Sequence, residues 1–424
     1  MVFGEGESIK IFSLKPFFLS LIFLLSSCNA GEIKQGYKPG AEVLIEKQIN
    51  SITGRNVGLV TNHTGRLSDG THLADKLHEL KAVNLVALFG PEHGIRGDAD
   101  AGEKVKSSVD EKTGVKIFSL YGSDYKPTAT MLKGVDLLIY DIQDIGARFY
   151  TYISTLYYLL EAAAENNIEV VILDRINPLS GNYISGPVLE KEFKSFVGIA
   201  EIPVAHGMTT GELAMLFAGE FLGEKGKKLK LSVIKAEGLS REMYFDSTEN
   251  EWVATSPNIP KFETALVYPG ICLFEGINIS EGRGTYNPFL TIGAPFIDGE
   301  KLAHEIKKYN LSGFDIKPVK FTPKSIKGMS SEPKLKGTEC GGLEITVLSA
   351  KDFDPVVTGI ALIKAINTLY PKDLKFNDKW FDKLSGTSTL RKQILAGDSI
   401  EKIVSSWQPK LSAFKELRKK YLLY

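Results

Sequence analysis

A regular alternation of β-rich apolar runs and helical stretches, beginning near Gly54, constrains the fold of this 424-residue chain more than any other feature. Short apolar runs that alternate with helices are typical of βαβ units, in which the strands of one sheet run parallel. We therefore expect an α/β fold with a doubly wound parallel sheet. The predicted strands are residues 57–61, 83–89, 116–120, 135–142, 170–173 and 202–205, and the main predicted helices are residues 71–80, 150–165 and 210–221.

A dense run of turn-forming residues, Ser256-Pro257-Asn258-Ile259-Pro260, indicates a domain boundary shortly after it. We assign residues 44–262 to the α/β domain and residues 263–424 to a smaller α+β domain. The second domain begins with Gly- and Pro-rich loops at 268–295. Its other predicted elements are helices near 301–308, 356–369 and 394–405 and strands near 315–321 and 343–348.

Polar clusters follow the predicted strands of the first domain. Glu92 and His93 come directly after the second strand, in a glycine-rich turn where a carboxylate has no evident capping role. In open α/β sheets the carboxyl ends of parallel strands meet at one edge, and ligands bind there. Because five strand ends in succession carry ionisable groups, we expect them to share a cleft. The other candidates at these ends are Asn62, Arg96, Asp141, Gln143, Arg148, Tyr150, Asp174, Arg175, Asn177 and His206.

A second cluster lies in the loop at residues 274–285, where acids, an asparagine and an arginine stand among three glycines. Glycines let such a loop bring its backbone and side chains close to a ligand. If this loop folds back over the sheet edge, the site lies in a cleft between the two domains, a common ligand location. The candidates here are Glu275, Asn278, Glu281 and Arg283.

The charge balance limits the classes of partner. The chain has 51 basic and 51 acidic residues and no extended basic run, so nothing favours a nucleic acid. An anionic small substrate remains compatible with this balance, because a few arginines in a cleft suffice to bind it.

The cofactor motifs expected of comparable folds are missing from the sequence. The first predicted strand is followed by Thr61-Asn62-His63-Thr64-Gly65 rather than Gly-x-Gly-x-x-Gly, and there is no Walker A motif. A Gly-x-Ser-x-Gly nucleophile elbow is also missing. A metal site built from His93, His206, Asp141 and Asp174 is the weaker alternative, because no usual ligand spacing occurs. We expect neither a cofactor nor a metal.

The N-terminus has the pattern of a targeting segment. Lys10 and Lys15 precede a short apolar run, which ends in Leu25-Ser26-Ser27-Cys28. This pattern resembles a bacterial lipoprotein signal, in which Cys28 would become the lipidated first residue; the alternative is an ordinary cleaved signal. Residues 1–28 are then the signal segment and 29–43 a tether. We expect an exported, cell-envelope lipoprotein that meets the membrane only through its lipid. Cys272 and Cys340 are expected to be small buried apolar residues.

The motifs at residues 90–97, 141–152, 174–178 and 256–260, with the loop at 274–285, resemble those of the bacterial exo-β-N-acetylmuramidases. That family was long catalogued as a domain of unknown function, and the resemblance covers residues 44–424. It implies a Rossmann-like N-terminal domain, a smaller C-terminal domain and a cleft between them. It also implies release of terminal, non-reducing N-acetylmuramic acid from peptidoglycan fragments, with Glu92 as the catalytic glutamate. Asn258, in the motif at 256–260, is a further candidate substrate-binding residue.

This chemistry suggests roles for several candidates. Glycoside hydrolysis needs an acid for the leaving oxygen and usually a second carboxylate. Glu92 is the candidate acid, which His93 or Tyr150 would tune. The second group is open among Asp141, Asp174, Glu275 and Glu281, and the acetamido group of the sugar could take its place. The lactyl carboxylate of muramic acid calls for a guanidinium, and the candidates for it are Arg283, Arg148 and Arg96.

A non-enzymatic function is the alternative. A lipid-anchored protein that binds cell-wall sugars or another small anion would use the same cleft and the same arginines. A carboxylate placed at the glycosidic oxygen would distinguish the enzyme from the binding protein.

Overall fold

A mostly parallel sheet organises the computed structural model, which describes Met1, residues 36–97 and residues 108–424. The strands are β1 (Asn56–Thr61), β2 (Asn84–Gly90), β3 (Ser108–Val109), β4 (Lys116–Ser119), β5 (Leu137–Asp141), β6 (Glu169–Leu173), β7 (Ser185–Val188), β8 (Pro203–Ala205), β9 (Leu231–Ile234), β10 (Thr291–Ala294), β11 (Phe314–Phe321) and β12 (Cys340–Val347). The α-helices are α1 (Gly40–Val43), α2 (Leu73–Glu79), α3 (Tyr152–Asn166), α4 (Thr210–Leu216), α5 (Glu224–Lys228), α6 (Phe262–Ile271), α7 (Gly299–Lys307), α8 (Pro355–Leu369), α9 (Asp378–Ser385), α10 (Thr389–Leu395) and α11 (Ile400–Arg418).

The large sheet has seven strands in the order β3-β4-β2-β1-β5-β6-β9. Six of them are parallel, and the short edge strand β3 pairs antiparallel with β4. Along β5, Leu137 and Ile139 pack into one hydrophobic core while Leu138 and Tyr140 pack into the other. Both faces of the sheet are therefore buried, as is usual for parallel sheets. The expected α/β fold with a mostly parallel sheet is confirmed.

Several strands differ from the sequence prediction. Strand β9 was not predicted, because it is only four residues long and includes a serine. It nevertheless pairs parallel with β6. The predicted strand at 202–205 exists as β8, but it pairs antiparallel with β7 in a separate two-stranded sheet. His206 therefore does not follow a strand of the parallel sheet, contrary to the expectation of five successive strand ends at one edge.

The C-terminal part contains a three-stranded antiparallel sheet in the order β10-β12-β11. Helices α6 and α9 were not predicted from the sequence. Helix α6 falls partly in the stretch predicted as loops and carries Pro269 within it, but eight of its ten residues are buried. Tertiary burial thus outweighs the helix-breaking tendency of the local Pro-Gly sequence.

Helices α6 and α8 touch backbone to backbone where two glycines meet. A Cβ atom on Gly359 would lie 2.5 Å from the Cα of Gly270, and one on Gly270 would lie 1.9 Å from the carbonyl oxygen of Pro355. Real Cβ atoms do not approach backbone so closely, so either side chain would force the helices apart.

We expect Gly359→Ala to lower the free energy of unfolding by about 1–3 kcal/mol, the usual cost of overpacking a core. Urea unfolding followed by circular dichroism measures it. Gly36→Ala is the control, because a Cβ on Gly36 would meet nothing within 4 Å. Equal stability of the two variants would show that the helices shift apart without cost.

The N-terminal predictions fall outside the described residues. Cys28, the rest of the signal segment after Met1 and the first part of the tether lie there, as do residues 98–107 of the glycine-rich loop. None of the helices within the described residues combines the length and the apolar composition that a membrane span requires.

Candidate active site

The turn after β2 places Glu92 and His93 at the carboxyl edge of the sheet. His93 has a φ of 73°, in the left-handed region that non-glycine residues seldom adopt, and it is almost fully buried. Gly94 continues in the same region with a φ of 73°. At Gly97, a Cβ would lie 2.8 Å from the ring of His63, so the turn packs closely on the residues that follow β1. Such strained conformations are common at functional sites.

Glu92 and His93 line a cavity of about 200 Å³. Its walls come from the sheet edge, the start of α3, the segment around Ser256 and the C-terminal part of the chain. The lining residues are Glu92, His93, Tyr121, Phe149, Tyr150, Thr151, Tyr152, Val197, Ser256, Asn258, Ile259, Tyr268, Cys272, Glu275, Arg283, Phe289, Trp380 and Leu384. The predicted residues brought together here are Glu92, His93, Tyr150, Asn258, Glu275 and Arg283.

Two hydroxyl groups lie near the Glu92 carboxylate. Thr151, just before α3, places its Oγ1 3.5 Å from Oε2 of Glu92. The hydroxyl of Tyr121 lies in the same cavity, and the pKa of Tyr121 is raised by burial and then by the Glu92 charge. Tyr121 therefore stays neutral at neutral pH, and Glu92 has the Thr151 hydroxyl as a neighbour at the cavity wall.

Thr255 anchors two tyrosines of the cavity wall. The Tyr150 hydroxyl donates to Thr255 Oγ1 at 2.8 Å, and the Tyr152 hydroxyl donates to the Thr255 carbonyl at 2.7 Å. Burial raises the pKa of both hydroxyls, so both stay protonated at neutral pH. On the neighbouring segment, the Ala254 carbonyl lies 2.6 Å from Nε2 of His63, whose pKa is lowered by burial to about 4. These contacts fix the backbone that carries Ser256 and Asn258.

Within the part of the chain that the structure describes, the side-chain amide of Asn258 is hydrogen-bonded through its nitrogen but not through its oxygen. Its Nδ2 donates to the Met329 carbonyl at 2.8 Å, while its buried Oδ1 has no hydrogen-bond partner among the described residues. A polar atom in that state costs about 1–3 kcal/mol, and such a cost is often recovered by a ligand or a water.

Arg283 supplies a positive charge to the part of the cavity wall that comes from the loop at 274–285. Its Nη2 pairs with Glu275 at 2.7 Å, and its Nε lies 3.4 Å from Glu281. Burial opposes the charge, but the two carboxylates hold the pKa of the guanidinium above its usual value. Lys334 also pairs with Glu281, at 2.9 Å, and donates to three carbonyls of the same loop. The guanidinium is oriented, charged and part of the cavity surface.

Several predicted residues instead form a buried network below the sheet edge. Asp141 is fully buried and pairs with Arg175 at 2.6 and 3.0 Å. Asp174 accepts hydrogen bonds from Gly211, Thr209 and Tyr424, and burial raises its pKa to about 6. Asp141 and Asp174 do not line the cavity, and their carboxylates hold loops together.

Two of the three candidate arginines for the lactyl group lie elsewhere. Arg96 is bound between Asp75 and Asp110, at 2.6 and 2.8 Å. Arg148 is completely buried and donates to the carbonyls of Pro187, Ile202 and Leu384. Burial lowers the pKa of Arg148 to about 9. Neither guanidinium lines the cavity, which leaves Arg283 as the candidate that does.

The remaining predicted residues hold loops together, and none of them lines the cavity. Asn62 accepts from Thr64, Gln143 donates to the carbonyls of Asp144 and Ile176, and Asn177 donates to that of Met208. His206 lies 3.6 Å from Asp144. Asn278 bonds to the backbone of Asp373 and Lys375, and Glu281 is buried behind Arg283. Gln143 and Arg175 line a separate cavity next to Trp252.

The sequence did not single out much of the cavity's aromatic lining. Tyr121, Tyr268, Phe289 and Trp380 belong to the site, but in the sequence each resembles an ordinary core residue. Only the φ of 61° at Phe289 marks an unusual backbone, and that cannot be read from the sequence. Cys272 and Cys340 are buried free thiols, as expected. Within the described residues, no group of three or more His, Cys, Asp or Glu side chains is arranged to hold a metal ion.

Comparison with known proteins places this arrangement in a family. Models of the N-terminal and C-terminal parts of the exo-β-N-acetylmuramidase NamZ match residues 57–263 and 266–424. The peptidoglycan β-N-acetylmuramidase NamZ of Bacillus subtilis (strain 168) is 45% identical over 399 residues, which cover 94% of each chain.

Crystal structures of two DUF1343 family proteins from Bacteroides fragilis NCTC 9343 are also similar. Their sequence identities are 35% and 34% and their TM-scores 0.84 and 0.73, and each match covers 92% of this chain and 99% of the other. The chain therefore belongs to the NamZ family of exo-β-N-acetylmuramidases.

Proposed function

We propose that this chain is an exo-acting glycoside hydrolase that releases terminal, non-reducing β-1,4-linked N-acetylmuramic acid from peptidoglycan fragments. The observation that carries the proposal is the shared cavity of Glu92 and Arg283, a carboxyl group and a cation for an anionic sugar. The Bacillus subtilis relative is a peptidoglycan β-N-acetylmuramidase, which supports the same substrate class.

We describe the N-terminal part as Rossmann-like. Its six parallel strands, numbered by their place in the chain, have the spatial order 3-2-1-4-5-6, which supports that description. In such sheets ligands bind outside the carboxyl ends of the strands where the order reverses, here beside β1. The cavity draws residues from this edge and from the C-terminal part, which supports a cleft between two domains, 44–262 and 263–424.

Glu92 is the proposed general acid, which protonates the glycosidic oxygen as the bond to the leaving sugar breaks. Of the four carboxylates considered as the second group, only Glu275 lines the cavity. Glu275 is therefore the proposed partner, either at the anomeric carbon or in orienting the sugar's own acetamido group. Arg283 is the proposed partner of the lactyl carboxylate, through charge-assisted hydrogen bonds.

The direct test is hydrolysis of a chromogenic β-N-acetylmuramide, with the matching β-N-acetylglucosaminide as the control. We expect turnover of the muramide and much weaker turnover of the glucosaminide. Saturable binding of N-acetylmuramic acid without turnover of either compound would instead support a binding protein.

We further propose that the protein is exported and anchored by a lipid on Cys28. The support is the Leu25-Ser26-Ser27-Cys28 sequence after a short apolar run. We expect Cys28→Ser to abolish lipidation and to move the protein from the membrane fraction to the soluble fraction. Radiolabelled fatty acid incorporation and fractionation measure this, with Cys272→Ser as the control. Unchanged processing in the Cys28→Ser variant and under globomycin would refute the anchor.

A further inference from the structure

We propose that Tyr121, Tyr125 and Phe196 form the binding surface for the leaving saccharide, an uncharged N-acetylhexosamine unit next to the sugar that is released. This inference rests on the proposed function and assigns the side of the cavity from which the product chain departs. We call these three residues the aromatic wall.

The sheet register brings the aromatic wall to the catalytic carboxylate. Strands β2 and β4 run parallel, and Gly90 is paired with Ser119 where both strands end. Glu92 and Tyr121 each lie two residues further along, so the two loops leave the sheet side by side. Both residues line the same cavity, and Tyr121 lies close enough for the Glu92 charge to help raise the pKa of its hydroxyl. Because the general acid must face the leaving oxygen, the leaving sugar has to lie next to Glu92.

The aromatic wall continues outward from that point. The ring centroid of Tyr121 lies 6.0 Å from that of Tyr125 and 6.3 Å from that of Phe196, and the Tyr125 and Phe196 centroids lie 4.1 Å apart. Tyr158 stacks behind Phe196 with an interplanar angle of 11°. Tyr121 lines the cavity, whereas Tyr125 is 37% exposed. The rings therefore form a continuous path from the acid to the surface.

The distribution of charge in the cavity indicates where each of the two sugars binds. The cation proposed to bind the lactyl carboxylate, Arg283, lies in the loop at 274–285 of the C-terminal part. The aromatic wall carries only neutral hydroxyl and hydrocarbon groups. An N-acetylhexosamine without a lactyl group has no charge to satisfy, and the C–H face of its ring packs well on aromatic side chains. The muramic acid thus belongs on the Arg283 side and the leaving sugar on the aromatic wall.

The experiment compares Tyr125→Ala with the conservative Tyr125→Phe. The substrate is the disaccharide of N-acetylmuramic acid β-1,4-linked to N-acetylglucosamine, and free N-acetylmuramic acid is used as a competitive inhibitor. The inhibitor occupies only the pocket for the released sugar, so its KI reports that pocket. We expect Tyr125→Ala to lower kcat/KM for the disaccharide roughly 3- to 10-fold. The KI should change less than twofold, and Tyr125→Phe should keep near-normal values.

Turnover of the disaccharide that is unchanged in Tyr125→Ala would overturn the inference while leaving the proposed function in place. An equal loss in kcat/KM and in affinity for free N-acetylmuramic acid would also overturn it, because the whole cavity would then be disturbed. If wild-type protein hydrolyses neither the disaccharide nor the chromogenic muramide, the proposed function itself fails, and this inference fails with it.

Discussion

Replacing Glu92 by glutamine is expected to lower the turnover of the disaccharide by at least ~10²-fold, the usual scale for the loss of general acid catalysis. Glutamine has nearly the same size and can still accept a hydrogen bond from Thr151, so the fold should not change. The amide cannot deliver a proton to the leaving oxygen. The measurement is kcat/KM for the Glu92→Gln variant, with thermal unfolding as the check on folding.

The size of the loss should depend on the leaving group. A nitrophenolate leaves readily without protonation, whereas a sugar alkoxide does not, so Glu92→Gln should impair the disaccharide more than a nitrophenyl muramide. Glu263→Gln is the matched control, because Glu263 lies in the first turn of α6 and does not line the cavity. A folded Glu92→Gln variant with near-normal turnover of the disaccharide would remove Glu92 from the mechanism.

Replacing Arg283 by alanine is expected to reduce discrimination between muramides and glucosaminides by roughly 10–150-fold. The two sugars differ by the lactyl carboxylate, and a charge-assisted bidentate contact contributes on the order of 1.5–3 kcal/mol, with ~1.4 kcal/mol for each tenfold change. The measurement is the ratio of kcat/KM for the two chromogenic substrates in wild type and variant. Using the ratio cancels any general loss of activity.

The surroundings of Arg283 call for two companion variants. Arg283→Ala leaves Glu275 without its guanidinium, and that carboxylate would itself repel an anionic substrate. Arg283→Lys keeps the charge but loses the planar fork, so an intermediate ratio is expected. Arg55→Ala, which removes a surface pair with Glu169, should leave the ratio unchanged. If the ratio in Arg283→Ala also equals that of wild type, another group reads the lactyl carboxylate.

The fold was predictable from the sequence where burial alone decides the structure. A strand covered on both faces must be continuously apolar, so β1, β2 and β5 are visible as apolar runs. Strand β9 was missed because an edge strand of four residues carries too little of that signal. Helix α6 was missed because its Pro-Gly pair is tolerated only by contacts with distant residues.

The candidate site was predictable only in part, because sequence gives residue types but not their partners. Asp141 and Arg175 have the composition of a catalytic pair, yet each uses its charge to satisfy the other in the core. Glu92 and Arg283 differ from them in bordering one and the same cavity. Tyr121 is the opposite case, a residue of the cavity that the sequence did not single out. An aromatic residue after a strand suggests core packing, and only the register between β2 and β4 places Tyr121 beside Glu92.

The buried hydrogen bonds of Arg148 restrict how the two segments of the chain can evolve. Its guanidinium binds carbonyl groups of Pro187 and Ile202 from the segment matched by the N-terminal family model and of Leu384 from the segment matched by the C-terminal one. A Cβ on Gly386 would lie 2.6 Å from this guanidinium. Residue 386 in the second segment therefore has to be a glycine for Arg148 of the first segment to fit. If either segment were exchanged for an unrelated one, the buried Arg148 guanidinium or the carbonyl groups that accept from it would lose hydrogen-bond partners. The two halves are therefore expected to be inherited together, as a single heritable unit rather than as interchangeable modules.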